Sequence, residues 1–527
     1  MTAQPISASR QVARAATTVM AAFIVSNLLG LLRQVLVTRS FGTSPEMEAF
    51  TAANRVSETI FALVAGGALA SSFIPTFTGL LTLDKKRQAW QLASAISNLA
   101  LIVLGTISFL ASLFAPQIVI DLLAPGFASD PHKVALTISL LRLMLPSAVL
   151  FGLSGLVMGM LNAHQVFFIP ALAPAMYPLG IVFGVLVLAP SLGIYGLAWG
   201  VLIGAALHLG LQIPSLLRLK GQYFPILGLK LAPVREVVRL LGPRLLGVAV
   251  VQLNFWVNVR LASYMAEGSV FAIQLAFALM LMPQAAIAQS VATAAMPTLS
   301  AQYAKGMLAE LRSTLAASLR GMLLLAIPAS LGLILLREPL IVLLFQRGEF
   351  TAHSTELVAW ALLWYALGLV GHCLVELLAR AFYALHDTRT PVAIGVVIMS
   401  LNVLFSISFA ALFTRLGWAP HGGLALANTL ATALEAVGLL VFMRRRLNGL
   451  EGRRILQGSL QALVASLVMG LGLAAWLRFT GDLPAWISVG GGLIISSLLY
   501  GLVVLALKNS EALGLLRLLK RRLGFSR

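Results

Sequence analysis

Apolar runs recur along nearly the whole chain, divided by short polar segments. A helix needs about 20 mainly apolar residues to cross the hydrocarbon of a bilayer, because no water there satisfies a bare backbone N–H or C=O. Fourteen runs meet that need, near 16–38, 48–81, 90–115, 134–161, 170–189, 192–217, 240–265, 270–303, 314–336, 355–384, 391–414, 421–443, 456–477 and 483–507. The pattern predicts an all-α polytopic membrane protein with 14 transmembrane helices. The first run follows Arg10 and Arg14, but it is too long for a signal-peptide core and lacks a small-residue cleavage site, so it is expected to stay as a span.

Composition sharpens this picture. Of 527 residues, 59% are apolar and 10% charged, against roughly a quarter charged in a soluble domain, which excludes a soluble globular enzyme. The net charge of +19, from 37 Lys+Arg against 18 Asp+Glu, would suggest nucleic acid in a soluble protein. Here the cations gather on alternate loops, as they do when helices insert with basic loops inside, so no nucleic-acid partner is expected. One side takes Arg10, Arg14, Lys85, Lys86, Arg87, the basic stretch Arg218–Arg244, Lys305, Arg312, Arg320, Arg380, Arg389, Arg444–Arg446, Arg453, Arg454 and the tail. The other takes only Arg39, Lys133, Arg337, Arg347, Arg415 and Arg478. Both termini are therefore predicted cytoplasmic, as an even number of spans requires. Residues 511–527 read as a short basic amphipathic helix lying on the anionic inner leaflet. The one cysteine, Cys373, allows no internal disulfide.

Sliding the chain against itself by about 222 residues aligns 70–77 with 292–299, Gly126-Phe127 with Gly348-Glu349-Phe350, and Leu161–His164 with Ala384–His386. An offset of six spans keeps both copies in one orientation, which predicts two parallel-repeat six-helix lobes with a pathway between them. The expected division is 1–220, 221–450 and 451–527, the last holding spans 13 and 14 and the tail.

Ionisable groups at membrane depth are costly and are functional candidates by default. They are Arg33 in the first span, Glu48, Arg55 and Glu58 in the second, then Arg142, Arg260, Glu376 and Glu435. Arg55 and Glu58, three residues apart, share a helix face and are read as a pair. Arg33, Arg55 and Arg260 are expected to converge on one cavity, where planar guanidinium forks would bind a pyrophosphate. For Arg33 and Arg260 the competing reading is a structural partner such as Glu48. Glu376 and Glu435 read either as proton sites or as polar packing residues. The seven histidines show no metal spacing, so neither catalysis, nor a cofactor, nor a metal site is expected.

Several blocks together resemble the MurJ/MviN lipid II flippases, fourteen-helix members of the multidrug/oligosaccharidyl-lipid/polysaccharide exporter superfamily. They are Ser26–Gln34, Val37–Gly42 followed by Glu48-Ala49-Phe50, Ala124–Phe127, Leu161-Asn162 with Ile169–Pro174, Phe345–Thr351, and Phe382-Tyr383 with Asp387–Pro391. The resemblance implies a plasma-membrane protein that moves a polyprenyl-pyrophosphate-linked peptidoglycan precursor to the outer leaflet by alternating access, for cell-wall synthesis and alongside cell-wall synthesis proteins. It carries Arg33 over as a cavity cation and Glu48 as the acidic residue opening span two. The chain departs at Asn27, where many members have arginine, at Gln34, which replaces an aspartate, and at Phe61 and Ala278, where arginines are expected. The substrate-facing set is thus Arg33, Arg55, Arg260, Glu48, Asn27 and Gln34, with Arg55 and Arg260 restoring lost charge. Alternatives are a flippase or exporter for another polyprenyl-linked glycan or amphiphile, and a non-transporting envelope scaffold.

Overall fold

A computed structural model describes residues 8–64, 68–481 and 483–514. Among these residues the secondary structure is helical throughout, joined by turns and short loops, with no strand. Among the described residues ten helices are long and apolar enough to cross a membrane, and up to twelve if each of two bent pairs counts as one span. The first two expected spans correspond to Ala8–Phe41 and to Pro45–Val64 followed by Ala68–Thr82, so the architecture is consistent with fourteen. Residues 515–527 of the expected surface helix lie outside the described residues.

The long helices are interrupted where the sequence forces it. Ala352–Leu367 and Leu369–Ala384 meet at a 48° bend. At the bend, a Cβ on Gly368 would sit 2.5 Å from Thr429 Oγ1, so glycine permits the close approach. Wide π turns at Gly184–Leu188 and Ala285–Gln289 adjoin Pro190 and Pro283, whose rings cannot fit a regular ladder. Lipid is as apolar as leucine, so helices associate through close packing rather than through exclusion of water. The Phe168–Leu192 and Ile194–Arg218 spans show this, since a Cβ on Gly180 would lie 2.3 Å from Gly204 Cα.

The repeat is visible in the backbone. Helices Lys86–Leu113 and Leu308–Phe345 begin 222 residues apart, behind left-handed turn residues Asp84 and Gly306 at the same offset. Pro75 and Pro297 sit inside the preceding helices. Pro131–Ala163 and the Ala352–Ala384 stretch begin 221 residues apart, each behind a side-chain cap, Asp130 accepting from His132 and Lys133 and Thr351 from Ser354. Each ends in a left-handed residue, Gln165 at φ 61° and His386 at φ 59°.

By packing, the chain forms two compact units. The first is Met1–Val270 with Arg347–Phe350; the second is Phe271–Gln346 with Thr351–Arg527. The Ala232–Ala262 helix packs within the first, where Val234 and Val237 join a buried cluster with Phe73, Phe77, Leu92 and Ile96. In the second, Ala462, Ala465 and Val504 are buried with Leu324.

Candidate functional site

Four polar side chains of the first unit, Arg33, Asn54, Arg55 and Glu58, lie around Tyr177 of the Met176–Phe183 helix. From Pro45–Val64, Arg55 Nη1 lies 2.9 Å from Glu58 Oε2, and Asn54 Nδ2 donates to Glu58 Oε1 at 2.8 Å. The helical period puts these three on one face, so the expected Arg55–Glu58 pair is present. Asn54 also shares a side-chain hydrogen bond with Tyr177. Arg33, on Ala8–Phe41, sets its guanidinium 5.8 Å from the centre of the Tyr177 ring, and Arg55 sets its own 4.9 Å from that of Phe255. Cations over aromatic faces gain from the ring quadrupole, most when desolvated.

The two arginines differ in what neutralises them. Arg55 is held by Glu58 and is mostly buried, with 13% of its side chain exposed and its Nε without a partner among the described residues. Arg33 is half-buried and has no carboxylate partner among those residues; it reaches Gln34 Oε1 at 3.5 Å. It lies eight residues before the end of its helix at Phe41, about 12 Å along the axis. Asn27 precedes it by six residues and is exposed.

Arg260 does not join this cluster. It closes the Ala232–Ala262 helix, and its Nη1 donates to the backbone carbonyls of Asp121 and, at 3.1 Å, Leu122. Those carbonyls belong to the Ile118–Leu123 π turn, where the chain breaks the α-helical ladder and leaves acceptors in need of donors. The expected three-arginine convergence is thus a two-arginine neighbourhood.

Glu48 partners neither Arg33 nor Arg260. It is 2% exposed, binds Lys133 Nζ at 2.5 Å and accepts the Val270 backbone N–H at 2.9 Å. Lys133 Nζ in turn lies 4.0 Å from the centre of the Phe127 ring. Around this pair the loops of the cation-poor side meet: Gly126 N donates to Ser263 Oγ at 3.1 Å and Glu349 N to Arg39 O at 3.0 Å. A Cβ on Gly42, whose φ is +55°, would fall 2.2 Å from Glu349 O, so glycine is required there.

Sequence reasoning missed Tyr177, Asn54, Phe255 and the role of Lys133. Asn54 was findable, since it stands four residues before Glu58. Lys133 had a fainter signal, being a lysine on the side poor in cations. Phe61, where the resemblance led to an arginine, packs its ring 5.1 Å from that of Phe151, which also meets Tyr177 and His208 at 5.3 and 5.4 Å. An aromatic cluster replaces that charge.

At the cation-rich end of the second unit, Asp387 caps the Arg389–Arg415 helix through Thr390 and pairs with Arg446 at 3.1 Å. Burial opposes its charge, but the Thr390 hydrogen bonds and the Arg446 guanidinium outweigh it and hold the carboxyl below the usual aspartate range. Among the described residues no group of three or more His, Cys, Asp or Glu is placed to hold a metal.

Comparison with known proteins gives this arrangement its context. The solved structure of a lipid II flippase MurJ in an inward closed conformation superposes with a TM-score of 0.79 at 25% identity, covering 92% of this chain and 97% of that one. An inward-facing multidrug resistance transporter of the MATE family, in the MOP superfamily, shares the fold with a TM-score of 0.67 at 17% identity, covering 81% and 96%. In sequence, the lipid II flippase MurJ of Burkholderia cenocepacia is 30% identical over 495 residues, 92% of this chain and 89% of that protein. The family model described as lipid II flippase MurJ matches residues 37–485. The chain is therefore a multi-pass membrane protein that belongs to the lipid II flippase MurJ family.

Proposed function

We propose that this protein flips lipid II across the bacterial plasma membrane by alternating access, with both termini in the cytoplasm and no chemistry on the substrate. The observation that carries this reading is Arg33, a guanidinium at membrane depth without a carboxylate partner among the described residues, beside Tyr177 and the Arg55–Glu58 pair. A lone arginine costs about 2.5–3.5 kcal/mol at the centre of an inserted helix. A diphosphate offsets that cost, because its oxygens match the planar fork of arginine. Arg33 is the cation that meets the diphosphate, Asn27 and Gln34 add polar contacts, and Arg55 becomes available when Glu58 releases it. Glu48 and Arg260 hold the framework. The polyprenyl tail stays in lipid, and no cofactor takes part.

The test is replacement of a bacterium's essential lipid II flippase by this protein. Cells survive with the native sequence, and Arg33→Ala at equal membrane abundance causes lysis. In vesicles the same substitution slows flipping about 10- to 100-fold, the value of a charge-assisted hydrogen bond of about 1.5–3 kcal/mol, with Arg33→Lys in between. Lysis with the well-expressed native protein rejects lipid II as cargo. Phe61 and Ala278, in place of arginines, favour a second reading in which a different polyprenyl-linked glycan is carried. Flipping of that glycan by protein that fails to support growth would establish it. Growth undiminished by Arg33→Ala would instead point to a scaffold.

A further inference from the structure

The second unit holds a carboxyl group that the cluster around Tyr177 does not use. Glu435 stands fourteen residues after His421 and eleven before Arg446 in a 26-residue helix, about 21 and 16 Å along the axis from its two ends. The outer end of this bundle is marked by the interlocked rings of Trp360, Trp364, Phe413 and Trp418, an interfacial belt, and the other end by Asp387 and Arg446. Glu435 therefore lies inside the span, nearer its cation-rich end. It shares a helix face with Asn428, Thr432 and Leu439, and its Oε1 tucks against Gly395 of the neighbouring Arg389–Arg415 helix. Among the described residues it has no ion-pair or hydrogen-bond partner.

The elements packed on it offer no cation to neutralise it. Arg389–Arg415 carries charge only at its ends. On Leu369–Ala384, Tyr383 is within electrostatic reach of both Glu435 and Glu376, while Arg380 is taken by Glu376 at 2.6 Å and by Thr293. His372, on the same helix, is held by Asn428 at 3.0 Å and approached by Thr432 at 3.4 Å. Ala352–Leu367 places its charged groups, His353 and Glu356, together near its first turn. An isolated carboxylate in hydrocarbon is far costlier than the neutral acid. A bare metal ion needs several oxygen ligands, and Gly395, against which this carboxyl packs, supplies no side-chain oxygen.

We propose that Glu435 is a proton-binding site: its carboxylate takes up one proton in one access state and gives it back to water in the other. Tyr383, within electrostatic reach of Glu435 and four residues before Asp387, forms the entry side toward the cation-rich end, with Arg380 and Glu376 on the turns of the same helix before it. Proton binding stands apart from the flipping reading; its coupling to transport rests on that reading.

Two measurements on the full-length protein in vesicles of phosphatidylethanolamine and phosphatidylglycerol test this. In infrared difference spectra recorded across a pH titration, the native protein shows a carboxylic-acid carbonyl band that Glu435→Gln, of the same shape, loses and Glu435→Asp keeps at a shifted position. A band unchanged in Glu435→Gln overturns the proposal. In the same vesicles carrying a fluorescent lipid II analogue, an imposed pH gradient changes the flipping rate of the native protein, and Glu435→Gln loses that response. A response retained by Glu435→Gln overturns the coupling. If the native protein does not flip the analogue at all, the flipping reading fails while the infrared arm still decides the proton site.

Discussion

The helices Pro45–Val64 and Ser269–Gln284 are repeat counterparts with opposite chemistry. At the 222-residue offset, Glu48, Asn54, Arg55 and Glu58 of the first correspond in sequence to Val270, Ala276, Phe277 and Met280 of the second. The backbone features around them are kept, including Pro75 and Pro297 and the left-handed turns that follow. The charges are therefore not what makes this helix. Where the first copy sets Arg55 beside Glu58 and Phe255, the second packs Phe277 against Tyr365 and His372, with ring centres 5.2 and 5.9 Å apart. One copy bears an electrostatic cost that the other avoids, so at this repeat position the buried charges belong to the first copy alone.

The largest expected effect breaks the contrast at its outer end. Lys133→Ala leaves the buried Glu48 carboxylate without its cation and lowers stability by about 3–5 kcal/mol, the cost of removing one partner of a buried pair. Thermal unfolding in detergent reads this, and adding Glu48→Gln recovers most of the loss. If Lys133→Ala unfolds like the native protein, the pair is not structural. A smaller effect comes from making the second copy resemble the first. Phe277→Arg costs about 2.5–3.5 kcal/mol, the insertion cost of a lone arginine, and Phe277→Arg with Met280→Glu returns part of it. A harmless Phe277→Arg would show that the two environments do not differ as described. The smallest effect is one of pH. The Asp387 carboxyl is held below its ordinary value of 3.8, so its contribution is complete above that value and fades as pH falls through its lowered folded value. Asp387→Asn removes this part of the acid sensitivity, measured as the difference in unfolding temperature between neutral and acidic buffer.

Much of the fold was legible because hydrocarbon imposes a one-dimensional rule of length and hydropathy, and every expected span meets a helix in the structure. The Arg55–Glu58 pair was legible for a similar reason, since helical spacing is local. Contacts between distant segments were not. Glu48 finds Lys133 across 85 residues of sequence, and nothing in the local pattern of either announces the other. Arg260 was read by depth alone, but its destination depends on carbonyls freed by a π turn that hydropathy does not reveal. Tyr177 escaped notice because one hydroxyl in an apolar run carries no signal until two other helices bring Arg33 and Asn54 near it.

Glu48 accepts the amide hydrogen of Val270, the position 222 residues on. A backbone amide is a donor that any residue but proline supplies, so this contact asks nothing of the side chain at 270 and everything of the one at 48, and its two ends tolerate substitution unequally.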